Sequence, residues 1–280
     1  MRNFTFKGLL LTAVFMLLGC LSIQAANDDL ITKQITINLD KAGTLPNKIA
    51  SSEMYKITNL KIIGEINGTD WNMIREMAGR DNRGYGTEGK LSVLDLSEAK
   101  IVKGGDSYYP GDNCYTSNDE IGEKAFTDCS RLTSLTLPVG ITSIGYDAFA
   151  YCSGLTSLTL PAGITSIGEF AFSYCSGLTS IYVYAEKVPR IGRYAFEGCA
   201  SRKCTLYVPK GTYDNYRLSE FGYFENIVEF DPTGIDKTTT STNVEEVSRY
   251  SADGQRLAVP VKGLNIVKYS DGSERKVVVK

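Results

Sequence analysis

Residues 144–166 read IGYDAFAYCSGLTSLTLPAGITS, and the chain contains three further versions of this stretch. Each version opens with Ile-Gly, continues with Ala-Phe and places a cysteine three residues after the phenylalanine. The openings, at Ile121, Ile144, Ile167 and Ile191, lie 23, 23 and 24 residues apart. Three versions continue with aliphatic residues spaced as in Leu-x-x-Leu-x-Leu, and the fourth keeps only part of this signature from Cys204 onward.

A fixed period in the twenties with this signature predicts a leucine-rich-repeat solenoid, an α/β fold. Alternate residues of each short strand point to opposite faces, so Leu135 and Leu137 are predicted to point inward and Ser134 and Thr136 outward. Stacked copies then form a parallel β-sheet on one face of the solenoid. We expect short helical or irregular turns on the other face, with the Ile, Ala, Phe and Cys columns inside and glycines at the bends.

The repeats resemble those of the BspA-like leucine-rich-repeat family of Bacteroidetes surface proteins. The matching residues are the IGxxAFxxCxxLTSLxLPxGITS copies, as in residues 144–166. The likeness is strong over residues 121–209 and extends more weakly over about 54–230. It implies a non-enzymatic, surface-displayed binding protein, adhesin-like in some members.

The organisation expected from the sequence has six parts. They are a signal peptide at 1–26, an amino-terminal cap with irregular repeats at 27–120, four regular repeats at 121–209, a carboxy-terminal cap at 210–230, a linker at 231–243 and a small β tail at 244–280. In the amino-terminal part, Thr69 or Asp70 is predicted to cap a helix that carries Trp71 into the core. Residues 103–120 are predicted to form a solvated polar loop. The aromatic-rich run from Tyr213 to Val228, which includes Leu218, is predicted to fold over the last repeat as the carboxy-terminal cap.

The first 26 residues predict export, because Arg2 and Lys7 precede a short apolar stretch. Two processing routes remain open. Signal peptidase I would cut after Ala25 or Ala26, whereas the segment Leu17-Leu18-Gly19-Cys20 resembles a lipobox in which Cys20 becomes lipidated. Either route predicts a cell-surface (outer-membrane) or secreted protein.

The tail resembles the short carboxy-terminal modules of Bacteroidetes proteins exported by the type IX system. The matching stretches are 262–267, 271–273 and 276–280, and residues 264–269 and 276–280 are predicted to pair as a hairpin. The alternative is a small β module that packs beside the solenoid. A sorting role for the tail would favour signal peptidase I over the lipobox.

The cysteines that follow Phe126, Phe149, Phe172 and Phe196 form one column. Parallel side chains in a column do not converge as a disulfide requires, so we expect free buried thiols. Cys199 with Cys204 is a lesser disulfide candidate.

Composition excludes several functions. The chain has 30 Lys and Arg, 32 Asp and Glu and no histidine. The charge is balanced, so the sequence does not predict the basic surface that nucleic-acid binding requires. The absence of histidine excludes catalytic triads that depend on histidine and metal sites with histidine ligands. The repeats contain no column of Asp or Glu residues that would indicate a carboxylate-based glycosidase. We therefore expect no enzyme, metal or cofactor.

A ligand is expected on the outward residues of the strands, where solenoids often bind. The early strands present Ser and Thr, and the late strands present aromatics, so the candidate site is Tyr182, Tyr184 and Tyr207. The expected partner is an extracellular protein or glycan. Two alternatives stay open: the tyrosines pack against the carboxy-terminal cap, or the protein is a structural component of an envelope or extracellular assembly.

Overall fold

The computed structural model describes residues 29–109, 111, 114–232, 246–251, 256–257, 263–269 and 274–279. The chain divides into two compact units between Pro232 and Thr233. The signal segment with Cys20 and nearly all of the expected linker lie outside the described residues.

The first unit is built on an eight-stranded parallel sheet to which each turn of the chain contributes one strand. Because the strands are added in sequence order from β1 to β14, the chain winds as a solenoid. In sheet order they are β1 (Ile35–Leu39), β2 (Asn59–Ile66), β3 (Val93–Ile101), β7 (Ser134–Thr136), β9 (Ser157–Leu160), β11 (Ser180–Val183), β13 (Thr205–Pro209) and β14 (Asn226–Phe230).

Helix α1 (Gly68–Met77) packs against the first regular repeat, where Trp71 contacts Phe126. Its N-cap is Asn67, whose side chain accepts from the Thr69 amide at 3.0 Å, while the Asp70 carboxylate accepts from the Asn67 amide at 2.9 Å. The prediction of Thr69 or Asp70 as the cap was therefore wrong, because Asp70 is the third residue of a reciprocal capping box. Trp71 is buried, as predicted.

The described residues of 103–120 do not form a solvated loop. Strands β4 (Gly104–Tyr109) and β5 (Cys114–Thr116) pair antiparallel, and β4 packs against α1. The Tyr108 ring is buried, and its hydroxyl donates to the Glu123 carbonyl at 2.9 Å. This tyrosine therefore ties the hairpin to the first regular repeat.

The returning wall of the regular repeats is made of turns and short strands without a helix, which is the irregular form of the predicted turns. It holds a second parallel ladder that pairs the Ile of each Ile-Gly with the Ile of the next repeat. The strands are β6 (Glu120–Ile121), β8 (Ser143–Ile144), β10 (Ser166–Ile167) and β12 (Arg190–Ile191). Each repeat then turns twice through residues with positive φ: Lys124 and Asp128, Asp147 and Tyr151, Phe170 and Tyr174, Tyr194 and Gly198.

The glycine after each of these isoleucines is required by close stacking rather than by its own φ angle. A Cβ on Gly145 would lie 2.7 Å from the Glu123 nitrogen, and one on Gly192 would lie 2.3 Å from the Glu169 nitrogen. Neither glycine has a positive φ. Adjacent turns approach so closely that only hydrogen fits between them.

The core contains a continuous stack of phenylalanines, one from each regular repeat. The rings of Phe126 and Phe149, Phe149 and Phe172, and Phe172 and Phe196 have centroids 5.3, 5.1 and 5.4 Å apart, with planes within 13° of parallel. This spacing is close to the separation of neighbouring strands, about 4.8 Å. Repetition of one residue type at one position in each turn therefore gives an uninterrupted aromatic column.

The cysteine column beside it consists of free, buried thiols, as predicted. Sγ of Cys152 donates to the Phe126 carbonyl at 3.1 Å, and Cys175 and Cys199 repeat this contact one turn later each. Cys199 and Cys204 are both free, so the lesser disulfide candidate was wrong. The thiols of Cys152, Cys175 and Cys199 hydrogen-bond to the turn before them.

The carboxy-terminal cap combines helix α2 (Tyr213–Arg217), a 3-10 turn (Glu220–Tyr223) and strand β14. Tyr216, Phe221 and Phe224 are buried against the last repeat. Leu218, expected in the same aromatic-rich cover, is 85% exposed, because it ends α2 on the solvent side. The cap also extends the main sheet, which the sequence analysis did not predict.

The second unit is a four-stranded antiparallel sheet, in the order β16-β15-β17-β18. Its strands are β15 (Glu246–Ser251), β16 (Arg256–Leu257), β17 (Gly263–Tyr269) and β18 (Glu274–Val279). The predicted hairpin corresponds to the antiparallel pair β17 and β18.

Candidate functional site

The outward face of the main sheet changes character along the solenoid. Toward the amino-terminal end it is charged, since Lys61 on β2 lies 2.6 Å from Glu98 and 3.5 Å from Asp95. In the middle it carries hydroxyls, and the Ser180 hydroxyl donates to that of Ser157 at 3.0 Å. At the carboxy-terminal end it becomes aromatic.

The register of the parallel strands places the aromatic side chains together. Tyr182 is aligned with Thr159 on one side and Tyr207 on the other, and Tyr207 is aligned with Val228 on the cap strand. The rings of Tyr182 and Tyr207 stack with centroids 4.3 Å apart and planes 6° apart. Each of the two rings therefore covers one face of the other.

Phe230 joins these tyrosines from β14. Its ring meets Tyr184 edge-to-face at 5.1 Å and Tyr182 at 6.0 Å. We refer to Tyr182, Tyr184, Tyr207 and Phe230 as the aromatic cluster. All four residues are partly exposed. The structure thus brings the three predicted tyrosines together and adds Phe230, which the sequence analysis missed.

The alternative expectation was that these tyrosines pack against the carboxy-terminal cap, and part of the cluster does so. Phe230 covers part of the cluster, yet each tyrosine keeps a solvent-facing portion. Burial, followed by the neighbouring Tyr207 hydroxyl, raises the pKa of Tyr182. The cluster therefore offers neutral hydroxyls beside apolar ring surface, a combination common at binding surfaces.

A second set of aromatics lies on the returning wall, at corners with positive φ. Tyr151 and Tyr174 stack with centroids 5.0 Å apart, and Phe170 stacks with Tyr194 at 5.2 Å. Both tyrosines of the first pair are exposed. These positions were not singled out from the sequence, although each recurs at a fixed place in the repeat.

Groups suited to catalysis are few among the residues that the structure describes. Burial raises the pKa of Cys129 to about 11 and that of Cys199 to about 12, so these thiols stay protonated near neutral pH and are poor nucleophiles. Within the same described ranges, no three His, Cys, Asp or Glu side chains are grouped so that they could hold a metal ion.

Residues 113–221 match the model for the BspA type leucine rich repeat region, in six copies. Four copies are evident from direct inspection of the sequence. The fold is a leucine-rich-repeat solenoid.

One solved structure to which this chain is similar is a leucine-rich repeat protein from Bacteroides ovatus ATCC 8483. The two chains are 22% identical over 71% of this chain and 42% of that chain, with a TM-score of 0.36. The match therefore spans less than half the length of the Bacteroides protein. No curated protein matches this chain.

In the part of the chain that the structure describes, every helix is too short or too polar to cross a lipid bilayer.

Proposed function

We propose that this chain is an exported member of the BspA-like family that binds an extracellular protein, in the manner of an adhesin, through the aromatic cluster. The observation that carries the proposal is the stacked pair Tyr182 and Tyr207, which stays partly exposed where the small hydroxyl side chains of the middle strands give way to aromatic rings. The BspA-type repeats support a binding role without catalysis.

A protein partner suits the cluster better than a glycan. A sugar ring stacks on a free aromatic face, but Tyr182 and Tyr207 turn their faces toward each other, and Phe230 presents its ring edge-to-face to Tyr184. Ring edges and hydroxyls remain available, and these suit apolar and hydrogen-bonding contacts with a polypeptide. The hydroxyl-bearing strands beside the cluster extend the same face with small polar groups.

The test is a binding screen of the purified chain against extracellular matrix proteins and a panel of glycans. Saturable binding to a protein, weakened at least about tenfold by Tyr182→Ser with Tyr207→Ser, is the expected result, since aromatic residues in an interface core commonly contribute over 1 kcal/mol each. Tyr151→Ser with Tyr174→Ser is the matched control, because it removes an equivalent stacked pair from the returning wall. Binding to glycans alone would reject the protein partner.

Export is part of the proposal and rests on the first 26 residues of the sequence. The mass of the mature protein from its native host distinguishes the two routes. Cleavage after Ala25 or Ala26 gives an unmodified amino terminus, whereas lipidation places acyl groups on Cys20. An intact amino-terminal segment in the cytoplasmic fraction would contradict export. A sorting role for the tail is tested by deleting residues 244–280 and locating the product.

The alternative, a structural component of an assembly, is favoured by one feature. β14 is the last strand of the main sheet, and Val228 on it is 45% exposed. An unpaired edge strand is a template for pairing with another chain. Concentration-dependent oligomers that Val228→Lys disperses, without binding to any extracellular ligand, would support this role over the first.

A further inference from the structure

A surface pocket of about 340 Å³ lies on the amino-terminal cap, between the segment that follows β1 and helix α1. Ile49, Met54 and Met73 line it with buried apolar side chains. Its volume falls at the lower end of the range for small-ligand sites, about 300–1,000 Å³. Methionine side chains adapt to ligands of different shape. The pocket is lined from the amino-terminal cap, whereas the aromatic cluster lies on the last strands of the sheet.

One polar atom of this pocket has no partner. The side-chain amide nitrogen of Asn72 donates to the Ser107 carbonyl at 3.2 Å, and this bond fixes which end of the amide is oxygen. Oδ1 of Asn72 is then buried without a donor in the described part of the chain. A buried acceptor without a donor is costly, at about 1–3 kcal/mol. A ligand with an N–H or O–H group would satisfy it if the Asn72 amide turned toward the pocket, since Oδ1 itself is closed to solvent.

The charges around the pocket are of one sign. Glu76 and Asp106 line it, and no Lys or Arg does. Burial, and then the charge of Asp81, raises the pKa of Glu76. One oxygen of Asp106 accepts from the Thr69 hydroxyl at 2.9 Å. A positively charged donor would offset both carboxylates.

We propose that this pocket binds an ammonium group carried on an unbranched apolar stem. An ammonium has three N–H donors, and three residues that line the pocket carry acceptors: the amide oxygen of Asn72 and the carboxylates of Glu76 and Asp106. The stem packs on Met54 and Met73. A free alkylamine and a lysine side chain of another protein share this chemistry, and the experiment separates them.

The experiment is calorimetric or NMR titration of the full chain with n-hexylamine and with n-hexanol, its neutral counterpart. The amine is expected to bind with a dissociation constant on the order of 1 mM, and the alcohol at least about tenfold more weakly. Nα-acetyl-lysine N-methylamide and its norleucine analogue form the second pair. Tighter binding of the lysine compound than of the amine identifies a protein side chain as the ligand, and the reverse order identifies a small amine.

Two variants locate the binding. Glu76→Gln should weaken the binding of the amine about fivefold, as expected for the loss of a partly exposed ion pair. Glu186 is an exposed acid elsewhere on the solenoid, so Glu186→Gln should leave the affinity for the amine unchanged. Ser51→Phe should close the pocket and abolish binding, since Ser51 lines it and is exposed. Equal binding of amine and alcohol, no binding of either, or an unchanged affinity in Glu76→Gln and Ser51→Phe would overturn the proposal.

Discussion

The indole ring of Trp71 lies 5.2 Å from the ring of Phe126, with the two planes tilted by 51°. Trp71 belongs to the cap helix, and Phe126 is the first member of the phenylalanine column. At the opposite end, Phe196 meets Phe221 and Phe224 of the carboxy-terminal cap at 5.5 and 5.2 Å. Both ends of the column are therefore covered by aromatic rings that are not parallel to it, and the stack is closed against solvent.

Removing a central ring of the column should be strongly destabilising. Phe149 is fully buried and stacks on both neighbours, so Phe149→Ala should lower the free energy of unfolding by about 3–5 kcal/mol through the cavity it leaves. Urea unfolding followed by circular dichroism measures this. Val139→Ala is the control, since that side chain is 73% exposed. A loss below about 1 kcal/mol for Phe149→Ala would contradict the packing described.

The link between the amino-terminal cap and the first regular repeat depends on Arg75. Its guanidinium is buried and donates at 2.8 Å to the carbonyls of both Lys124 and Ala125. Arg75→Met keeps the apolar stem but leaves the Lys124 carbonyl without this donor, so a loss of about 1–3 kcal/mol is expected in chemical denaturation. Arg193→Met, at an exposed arginine, should be close to neutral. Equal stability of the two variants would show that the cap does not depend on this contact.

Two glycine substitutions distinguish close stacking from backbone flexibility. Gly145→Ala places a Cβ 2.7 Å from the Glu123 nitrogen, and the adjacent turn must shift. We expect a loss of about 1–3 kcal/mol, the usual cost of overpacking. Gly86→Ala meets nothing within 4 Å and should change stability little. If thermal melts ranked the two variants in the opposite order, the close approach of the turns would be refuted.

The buried thiols predict how stability depends on alkaline pH. Burial raises the pKa of Cys129 to about 11 and that of Cys204 to about 11, whereas an unfolded thiol has a pKa of about 8.5. Above about pH 8.5 the unfolded chain loses these protons first, so the free energy of unfolding should fall until the folded thiols also ionise. Urea titrations from neutral pH to about pH 10 measure this fall.

A cysteine variant isolates the contribution of a single thiol to this profile. The free energy of unfolding of the Cys129→Ala variant should decline less steeply with pH than that of the unmodified protein, because one titrating group has been removed. A free energy of unfolding that stays constant or increases with pH would contradict the assignment of buried, protonated thiols.

The regular repeats were predictable because each inward position recurs at a fixed spacing. Leu135, Leu137 and Phe149 are buried as the period required. The period could not reveal how closely the turns approach, and so the reason for Gly145 appeared only in the structure. The second ladder was missed because a strand of two residues, such as Ile144 with Ser143, has no alternation to recognise.

The irregular segments were harder to predict because their contacts are distant in sequence. Tyr108 lies in a polar stretch without apolar alternation, and its burial depends on Trp71 and Glu123. Phe230 was missed because residues 226–230 do not alternate as residues 205–209 do: Glu229 is aligned with the inward residue Val208. Leu218 was misplaced because composition alone does not show where a short helix ends.

The most direct test of the central claim is the affinity of a verified protein partner for the Tyr182→Ser, Tyr207→Ser double variant. It should be measured beside the Tyr151→Ser, Tyr174→Ser control, with both variants first shown to be folded. The account predicts binding weakened at least about tenfold in the first variant and unchanged in the control. Unchanged affinity in the first variant, or loss only in the control, would show that the partner does not bind at the aromatic cluster.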